Sequence, residues 1–138
     1  MSDGSLRTIF RDHIKRPQWT PIETGATAQG VPDMEYCFPG GVQGWVENKK
    51  TGGWAVTVRA EQVGWLLRRA RMGGRCFIAI RRLNGKSDEL YMVHGRDAEQ
   101  LQDRGLKGAN FILGTWSGGP AKWDWAAVER LLVYNQRN

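Results

Sequence analysis

Three side chains in the first half of the chain are of the types needed for metal-assisted phosphate chemistry. Asp33 follows Pro32, and Glu47 and Lys49 lie on either side of Asn48. Mg²⁺ is commonly bound through one or two carboxylates, keeps several of its waters and binds phosphate oxygens. A lysine beside such a site can hold or deprotonate a water molecule, or stabilise negative charge that develops on a phosphate. These residue types therefore predict a magnesium site that acts on a phosphate.

A β-hairpin would bring these three side chains together. The pattern predicts strands at 33–38 and 44–49, joined by a turn that contains the sequence Pro-Gly-Gly. Successive side chains of a strand alternate between the two faces of the sheet, so Glu47 and Lys49 would share one face. Asp33, at the start of the first strand, would lie opposite them. We therefore expect two carboxylates and one ammonium group to converge at one edge of the sheet.

The remaining pattern predicts an α/β fold, with helices on both sides of a mixed sheet. Helical spacing of apolar residues is clearest at 60–72, where a Gly-Gly pair follows. A short continuous apolar run at 76–80 is typical of a strand that is buried on both faces. In chain order the predicted elements are a helix at 3–16, strands at 19–23, 33–38 and 44–49, a helix at 60–72, strands at 76–80 and 89–94, and helices at 98–104 and 123–134.

This combination resembles the PD-(D/E)xK nuclease superfamily. The predicted order of elements over residues 3–82 is similar to the αβββαβ core of that superfamily. Two further residues make the chain similar to the branch that contains Holliday-junction resolvases, virus-type replication-repair nucleases and small phage nucleases. The resemblance rests on Pro32-Asp33, Glu47-Asn48-Lys49, Gly30 and Gln62.

The resemblance implies a role for each residue of the motif. It implies that Asp33 and Glu47 bind the divalent metal, together with the main-chain carbonyl of Asn48. It implies that Lys49 acts on the attacking water. Family members often add an acid from the first helix or first strand, and Glu23 is the candidate in this sequence.

Three features near the motif have two interpretations each. The family counterpart of Gln62 reaches toward the active site, which makes Gln62 a candidate catalytic residue, but it also suits the start of a helix. The position of Asn48 is usually apolar, so either the rear face of the strand is partly open or Asn48 has a polar partner. The motif itself has a purely structural alternative, in which Asp33 caps a turn and Glu47 and Lys49 form a surface pair.

The positive charge of the chain is concentrated in one segment. The net charge is +6, and residues 59–82 contain seven arginines and one acid, whereas the remaining chain has 13 basic and 13 acidic residues. A basic block within a foldable segment predicts a one-sided surface for a polyanion such as DNA. The residues expected to contact DNA are Arg59, Arg68, Arg69, Arg71, Arg75 and Lys50.

Several classes of protein are excluded by composition. No apolar run approaches the roughly 20 residues of a membrane span, so no membrane partner is expected. Two widely separated cysteines provide neither a disulfide framework nor a CxxC metal motif. Reduced thiols fit a cytoplasmic location, in a bacterium or a phage-infected host cell. The length predicts one nuclease domain over residues 1–138, with a core at about 3–82 and a C-terminal extension at about 83–138.

Motif, charge and resemblance together predict a Mg²⁺-dependent DNA endonuclease in which Mn²⁺ can substitute. We expect a structure-selective enzyme of DNA recombination or repair, of phage or mobile-element origin. A homodimer is expected, because cutting two strands needs two sites. The alternatives are a site-specific endonuclease of the homing or restriction type, and a non-catalytic DNA-binding protein on a decayed nuclease core.

Overall fold

The computed structural model describes residues 4–23 and 29–134. Within these residues the chain forms a six-stranded sheet, four α-helices and one short 3₁₀ turn. None of these helices is long and apolar enough to cross a membrane. The elements are α1 (Leu6–His13), β1 (Gln18–Pro21), β2 (Met34–Phe38), β3 (Val42–Thr51), α2 (Ala60–Arg71), β4 (Cys76–Asn84), β5 (Ser87–His94), α3 (Ala98–Arg104), β6 (Ile112–Trp116) and α4 (Trp125–Val133).

The strands lie in the sheet in the order in which they occur along the chain. Strands β3 and β4 are parallel, whereas all other neighbours are antiparallel. A parallel pair needs a long crossover connection, and α2 provides it. The predicted α/β class and mixed sheet are therefore confirmed, and the elements from α1 to β4 have the predicted order αβββαβ.

The C-terminal extension continues the same sheet. Strand β5 forms a hairpin with β4, and β6 pairs with β5 at the sheet edge. Strand β6 was not predicted, because it is only five residues long and has Gly114 at its centre, a residue type that is depleted in strands. Helix α1 ends at His13, earlier than predicted, and Ile14 is already extended.

Two apolar layers hold the sheet between its helices. The layer on the α1–α4 face includes Phe10, Tyr36 and Phe77, and the layer on the α2–α3 face includes Leu66 and Ile78. Neighbouring residues of β4 belong to opposite layers, which confirms the prediction of a strand buried on both faces. The central strands β3 and β4 are therefore packed on both faces, which fixes the positions of the side chains that they carry.

Candidate active site

Strand β3 presents Glu47 and Lys49 on the α2–α3 face of the sheet. Asn48 lies between them and contacts Met34 of the layer on the α1–α4 face. The predicted alternation is therefore confirmed. The Nζ atom of Lys49 lies 3.5 Å from Oε2 of Glu47. Only 4 % of Glu47 is exposed, so this ion pair is shielded from bulk water.

Asp33 lies immediately before β2 and joins the same group. Since Met34 is paired with Val46, the register places Asp33 opposite Glu47. The backbone N–H of Asn48 donates to Oδ2 of Asp33 at 2.8 Å, so this carboxylate replaces a main-chain partner at the end of the hairpin. The N–H and C=O of one strand residue face the same neighbour. The carbonyl of Asn48 therefore lies on the side of β3 that faces Asp33.

Gln62 connects the start of α2 to both charged residues of β3. Its Oε1 atom accepts hydrogen bonds from the Lys49 ammonium at 2.9 Å and from the backbone N–H of Arg59 at 3.0 Å. Its Nε2 group donates to Oε2 of Glu47 at 2.9 Å. A glutamine at the third position of a helix often accepts from the N-cap N–H. One side chain therefore caps the helix and also contacts Glu47 and Lys49, and a catalytic role for Gln62 stays a prediction.

Gly30 allows the segment before Asp33 to pass close to α2. Its φ is +84°, and a Cβ atom there would lie 2.1 Å from the carbonyl oxygen of Glu61. Only glycine combines that backbone conformation with such a close approach. The chain that leads to Asp33 therefore passes directly against the first turn of α2, which contains Gln62.

The electrostatics of Glu47 fit a cation ligand. Burial is the main cause that raises the pKa of Glu47 to about 7, the charge of Asp33 adds to it, and Lys49 opposes it. The Oε1 atom of Glu47 is buried and has no hydrogen-bond partner among the described residues. An unpaired carboxylate oxygen next to a second carboxylate is a position that a divalent cation would stabilise.

The donor set matches Mg²⁺ in number. Within residues 4–23 and 29–134, no three His, Cys, Asp or Glu side chains are grouped closely enough to hold a metal by themselves. Two carboxylates and one main-chain carbonyl remain, from Asp33, Glu47 and Asn48. Mg²⁺ is usually held by one or two carboxylates and retains several waters. The residues present therefore fit Mg²⁺ better than a metal that requires a complete protein cage.

The raised pKa of Glu47 predicts how stability depends on pH in the metal-free protein. Its pKa is about 7 in the folded chain against an ordinary value of 4.5. Between these values the folded state binds the proton more tightly than the unfolded state, so stability falls as pH rises toward about 7 and then levels off. Thermal melts of wild type and Glu47→Gln in EDTA, from about pH 5 to about pH 8, measure this. A difference in Tm between the two proteins that does not vary with pH would contradict it.

Glu23 lies near the site but its side chain points elsewhere. The N–H of Ile22 donates to the carbonyl of Asp33, which places Glu23 one residue beyond that pairing. The Glu23 side chain is 81 % exposed and forms an ion pair with Arg7 at 3.3 Å. Among the described residues no hydrogen bond links it to Asp33 or Glu47. Residues 24–28 lie outside the described residues, and a metal-ligand role for Glu23 stays a prediction.

The rear face of β3 is closed around Asn48, so the interpretation of a partly open face is wrong. Its side chain is buried, and its Nδ2 group faces the sulfur of Met34 at 3.6 Å. Its Oδ1 atom is buried without a hydrogen-bond partner in the described part of the chain. The amide thus has one weak partner and one unsatisfied acceptor, which costs stability.

Replacing Asn48 by Val is expected to raise the free energy of unfolding by about 1 kcal/mol. Valine removes the unsatisfied oxygen and favours a strand, while the main-chain groups of residue 48 remain. Urea denaturation followed by tryptophan fluorescence measures the change. A loss of stability would show that the amide has a partner that offsets its burial.

Gln62→Met tests whether Gln62 positions the two charged residues. Methionine keeps the length of the side chain but removes the donor to Glu47 and the acceptor from Lys49. Loss of a residue that orients metal ligands typically costs 10- to 100-fold in metal affinity or activity. We expect a loss of about that size in Mg²⁺ affinity by calorimetry. Gln100→Met, on α3, is the matched control, and equal losses in both variants would contradict a positioning role.

The five predicted arginine contacts fall into three environments. Arg59 lies at the start of α2, pairs with Glu61 and is close enough to lower the pKa of Glu47. Arg68 and Arg71 are exposed along α2. The remaining two are partly buried: Arg69 packs against tryptophan rings, and Arg75 donates to a main-chain carbonyl of α4. Of these five arginines, Arg59 is therefore the one that these contacts place near the carboxylate of Glu47.

Three further basic residues do not share the surface of α2. Lys50 is exposed but faces α1, on the side opposite Lys49. Arg81 binds Asp88 through two hydrogen bonds of 2.8 and 2.7 Å. Arg82 forms an ion pair of 3.1 Å with Glu89. The expectation that the block 59–82 forms one basic surface is therefore wrong. Asp88 and Glu89 lie outside the block in sequence but beside it in the sheet.

No family model and no curated protein matches this sequence. Four polar residues from three segments of the chain meet beside β3: Asp33, Glu47, Lys49 and Gln62. The strands and helix that position them have the order αβββαβ.

Proposed function

We propose that this protein is a Mg²⁺-dependent DNA endonuclease of the PD-(D/E)xK superfamily. The observation that supports it most strongly is the network that Gln62 forms with Glu47 and Lys49, next to Asp33. A surface ion pair would not need a buried glutamine to join its members. A phosphodiesterase site requires carboxylates and a lysine in fixed positions.

In the proposed mechanism each residue has a separate task. Asp33, Glu47 and the carbonyl of Asn48 would hold Mg²⁺, which when bound polarises phosphoryl oxygens and lowers the pKa of water. Gln62 holds the ammonium of Lys49 on the same face as Glu47. From there Lys49 orients the attacking water and stabilises the negative charge that develops on the phosphate. The oxygen of the water would bond to phosphorus while the P–O bond to the leaving oxygen breaks in line with it, and the proton that the water loses would pass to solvent, from which the leaving oxygen takes one.

The substrate proposed is DNA, held through its phosphates. The exposed arginines of α2 and Arg59 lie on the helix that also contributes Gln62, and phosphate contacts of this kind provide most non-specific affinity. We propose structure-selective cleavage by a homodimer, as in resolvases or repair nucleases, because two strands need two sites. The location proposed is the cytoplasm of a bacterial or phage-infected cell.

A decayed, non-catalytic core is less consistent with the cost of this site. A buried carboxylate with an unpaired oxygen destabilises a protein, and replacing such a group by an apolar one is often stabilising. A protein that had lost catalysis would have no reason to keep Glu47 in this state. Calorimetry with Mg²⁺ separates the two cases. The enzyme must bind Mg²⁺ in a way that depends on Asp33, whereas a non-catalytic protein need not.

The direct test of function is a cleavage panel of linear duplex, flap, splayed and four-way junction DNA with Mg²⁺ or Mn²⁺. We expect faster cleavage of at least one branched substrate than of linear duplex. Cutting of linear duplex at one defined sequence would instead favour the homing or restriction type, which shares the core. DNA binding without cleavage of any substrate would contradict the proposal and favour the non-catalytic alternative.

A further inference from the structure

We propose that Arg69 forms a preformed subsite for a DNA phosphate next to the one that is cleaved; this rests on the proposed nuclease function. Arg69 lines a cleft of about 220 Å³ beside the first half of β3. The other lining residues of the cleft are Glu35, Gln43, Trp45, Gly74 and Arg75. Three observations support the proposal: the position of the cleft, the packing that holds Arg69 and the free hydrogen-bond donors of its guanidinium.

The cleft lies directly beside the candidate active site. Trp45 precedes Glu47 by two residues on β3, and Glu35 follows Asp33 by two residues on β2. Residues two apart share a face, and they are separated by about 6.6 Å along a strand. DNA rises about 3.4 Å per nucleotide along its axis. The cleft is therefore within about two nucleotides of a phosphate held at Asp33 and Glu47.

Arg69 is held rigidly without using its hydrogen-bond donors. Its guanidinium carbon lies 4.5 Å from the ring centre of Trp65 and 5.3 Å from that of Trp45. The two indoles pack edge to face, with ring centres 5.2 Å apart. Cation–π contact fixes the plane of the guanidinium but leaves its N–H groups available. No carboxylate within the described ranges forms an ion pair with Arg69.

Gly74 makes room for the side chain of Arg69. A Cβ atom at position 74 would lie 2.6 Å from Cδ and 2.9 Å from Cγ of Arg69. The N–H of Gly74 also donates to the carbonyl of Arg69 at 3.0 Å. The stem of Arg69 therefore lies across the glycine, and even an alanine would displace it.

The free donors of Arg69 suit a phosphate. A planar guanidinium group binds phosphate through two donors. Glu35, the one carboxylate of the lining, accepts a hydrogen bond from Gln43. Arg75 also lines the cleft, but its Nε donates to the carbonyl of Val133 on α4, at the opposite face of the sheet. Arg68 and Arg71, by contrast, are exposed and suit only diffuse attraction.

A fixed phosphate contact next to the cleavage point would set the register of the strand. Contacts to phosphates orient a protein on DNA without reading sequence. Fixing a neighbouring phosphate also places the reacting one, and small misplacements of reacting atoms reduce rates strongly. The subsite should therefore affect both affinity and the precision of the cut.

The experiment maps which phosphates matter by ethylation interference, which neutralises one phosphate at a time. Binding is measured with Ca²⁺ in place of Mg²⁺. In wild type we expect strong interference at a phosphate within about two nucleotides of the scissile one. Arg69→Gln should lose that interference, bind about tenfold more weakly and reduce the salt slope by about one. Gly74→Ala should lose the same interference as Arg69→Gln, although it removes no charge, because the added methyl group would displace the Arg69 side chain.

Two variants separate the subsite from general effects. Arg104→Gln, at an exposed arginine of α3 that is not among the expected DNA contacts, should keep the wild-type footprint. Arg69→Lys keeps the charge and most of the packing, so it should fold even if Arg69→Gln does not, and should weaken the interference only in part. An unchanged footprint in Arg69→Lys and Gly74→Ala, with cleavage intact, would overturn the subsite alone. Failure of wild type to bind DNA would overturn the proposed function with it.

Discussion

Asp33→Asn is expected to abolish cleavage, with a fall of at least about 10³-fold in the single-turnover rate, the effect of losing several kcal/mol of charge stabilisation. Asparagine has the same shape and can still accept the hydrogen bond from the Asn48 N–H, so the hairpin should remain intact. The variant lacks only the negative charge that Mg²⁺ requires. The rate is measured on the best substrate of the panel with excess protein.

Calorimetry gives an independent readout of the same change. Asp33→Asn should bind Mg²⁺ at least tenfold more weakly than wild type, since one of two carboxylates is lost. Asp103→Asn, on the exposed side of α3, is the matched control and should bind and cleave as wild type does. Full cleavage by Asp33→Asn would remove Asp33 from the site.

Lys49→Met is expected to lower the cleavage rate by about 10²- to 10³-fold while Mg²⁺ binding is retained. Methionine keeps the apolar stem but removes the ammonium that Gln62 and Glu47 hold in place. Because Lys49 lowers the pKa of Glu47, its loss should make Glu47 harder to ionise. The comparison is therefore made at about pH 8.5, well above the value of about 7 in wild type.

The neighbouring lysine provides the control for Lys49. Lys50→Met changes the same residue type one position along β3, but on the face toward α1. It should reduce cleavage less than about threefold at moderate salt, because one exposed charge contributes little. Equal losses in the two variants would show that the lysines act only through net charge.

The sequence predicted the site where local rules were sufficient. Strand periodicity placed Glu47 and Lys49 on one face, and the hairpin placed Asp33 opposite them, because both depend on neighbours in sequence. The helix at 60–72 followed from its apolar spacing. The link from Gln62 to both charged residues was not predictable in this way, because it depends on how closely α2 approaches β3.

The missed features depend on strand register and on packing between elements. Charge counting along the chain could not show that Asp88 and Glu89 neutralise Arg81 and Arg82, since that follows from the register of β4 and β5. The charged residues at the ends of β4 and β5 also interrupt the apolar pattern, so both strands are longer than predicted. The position of Arg69 between two indoles likewise results from packing of α2 on the sheet.

The most direct test of the proposed site is a single-turnover time course of hydrolysis on branched DNA, with wild type and Lys49→Met side by side at saturating protein. We expect wild type to cut in Mg²⁺ and Mn²⁺ but not in EDTA, and Lys49→Met to be slower by about 10²-fold or more although it binds the same DNA. Cleavage by wild type in EDTA, or equal rates for the two proteins, would contradict a metal-dependent site built from Asp33, Glu47 and Lys49.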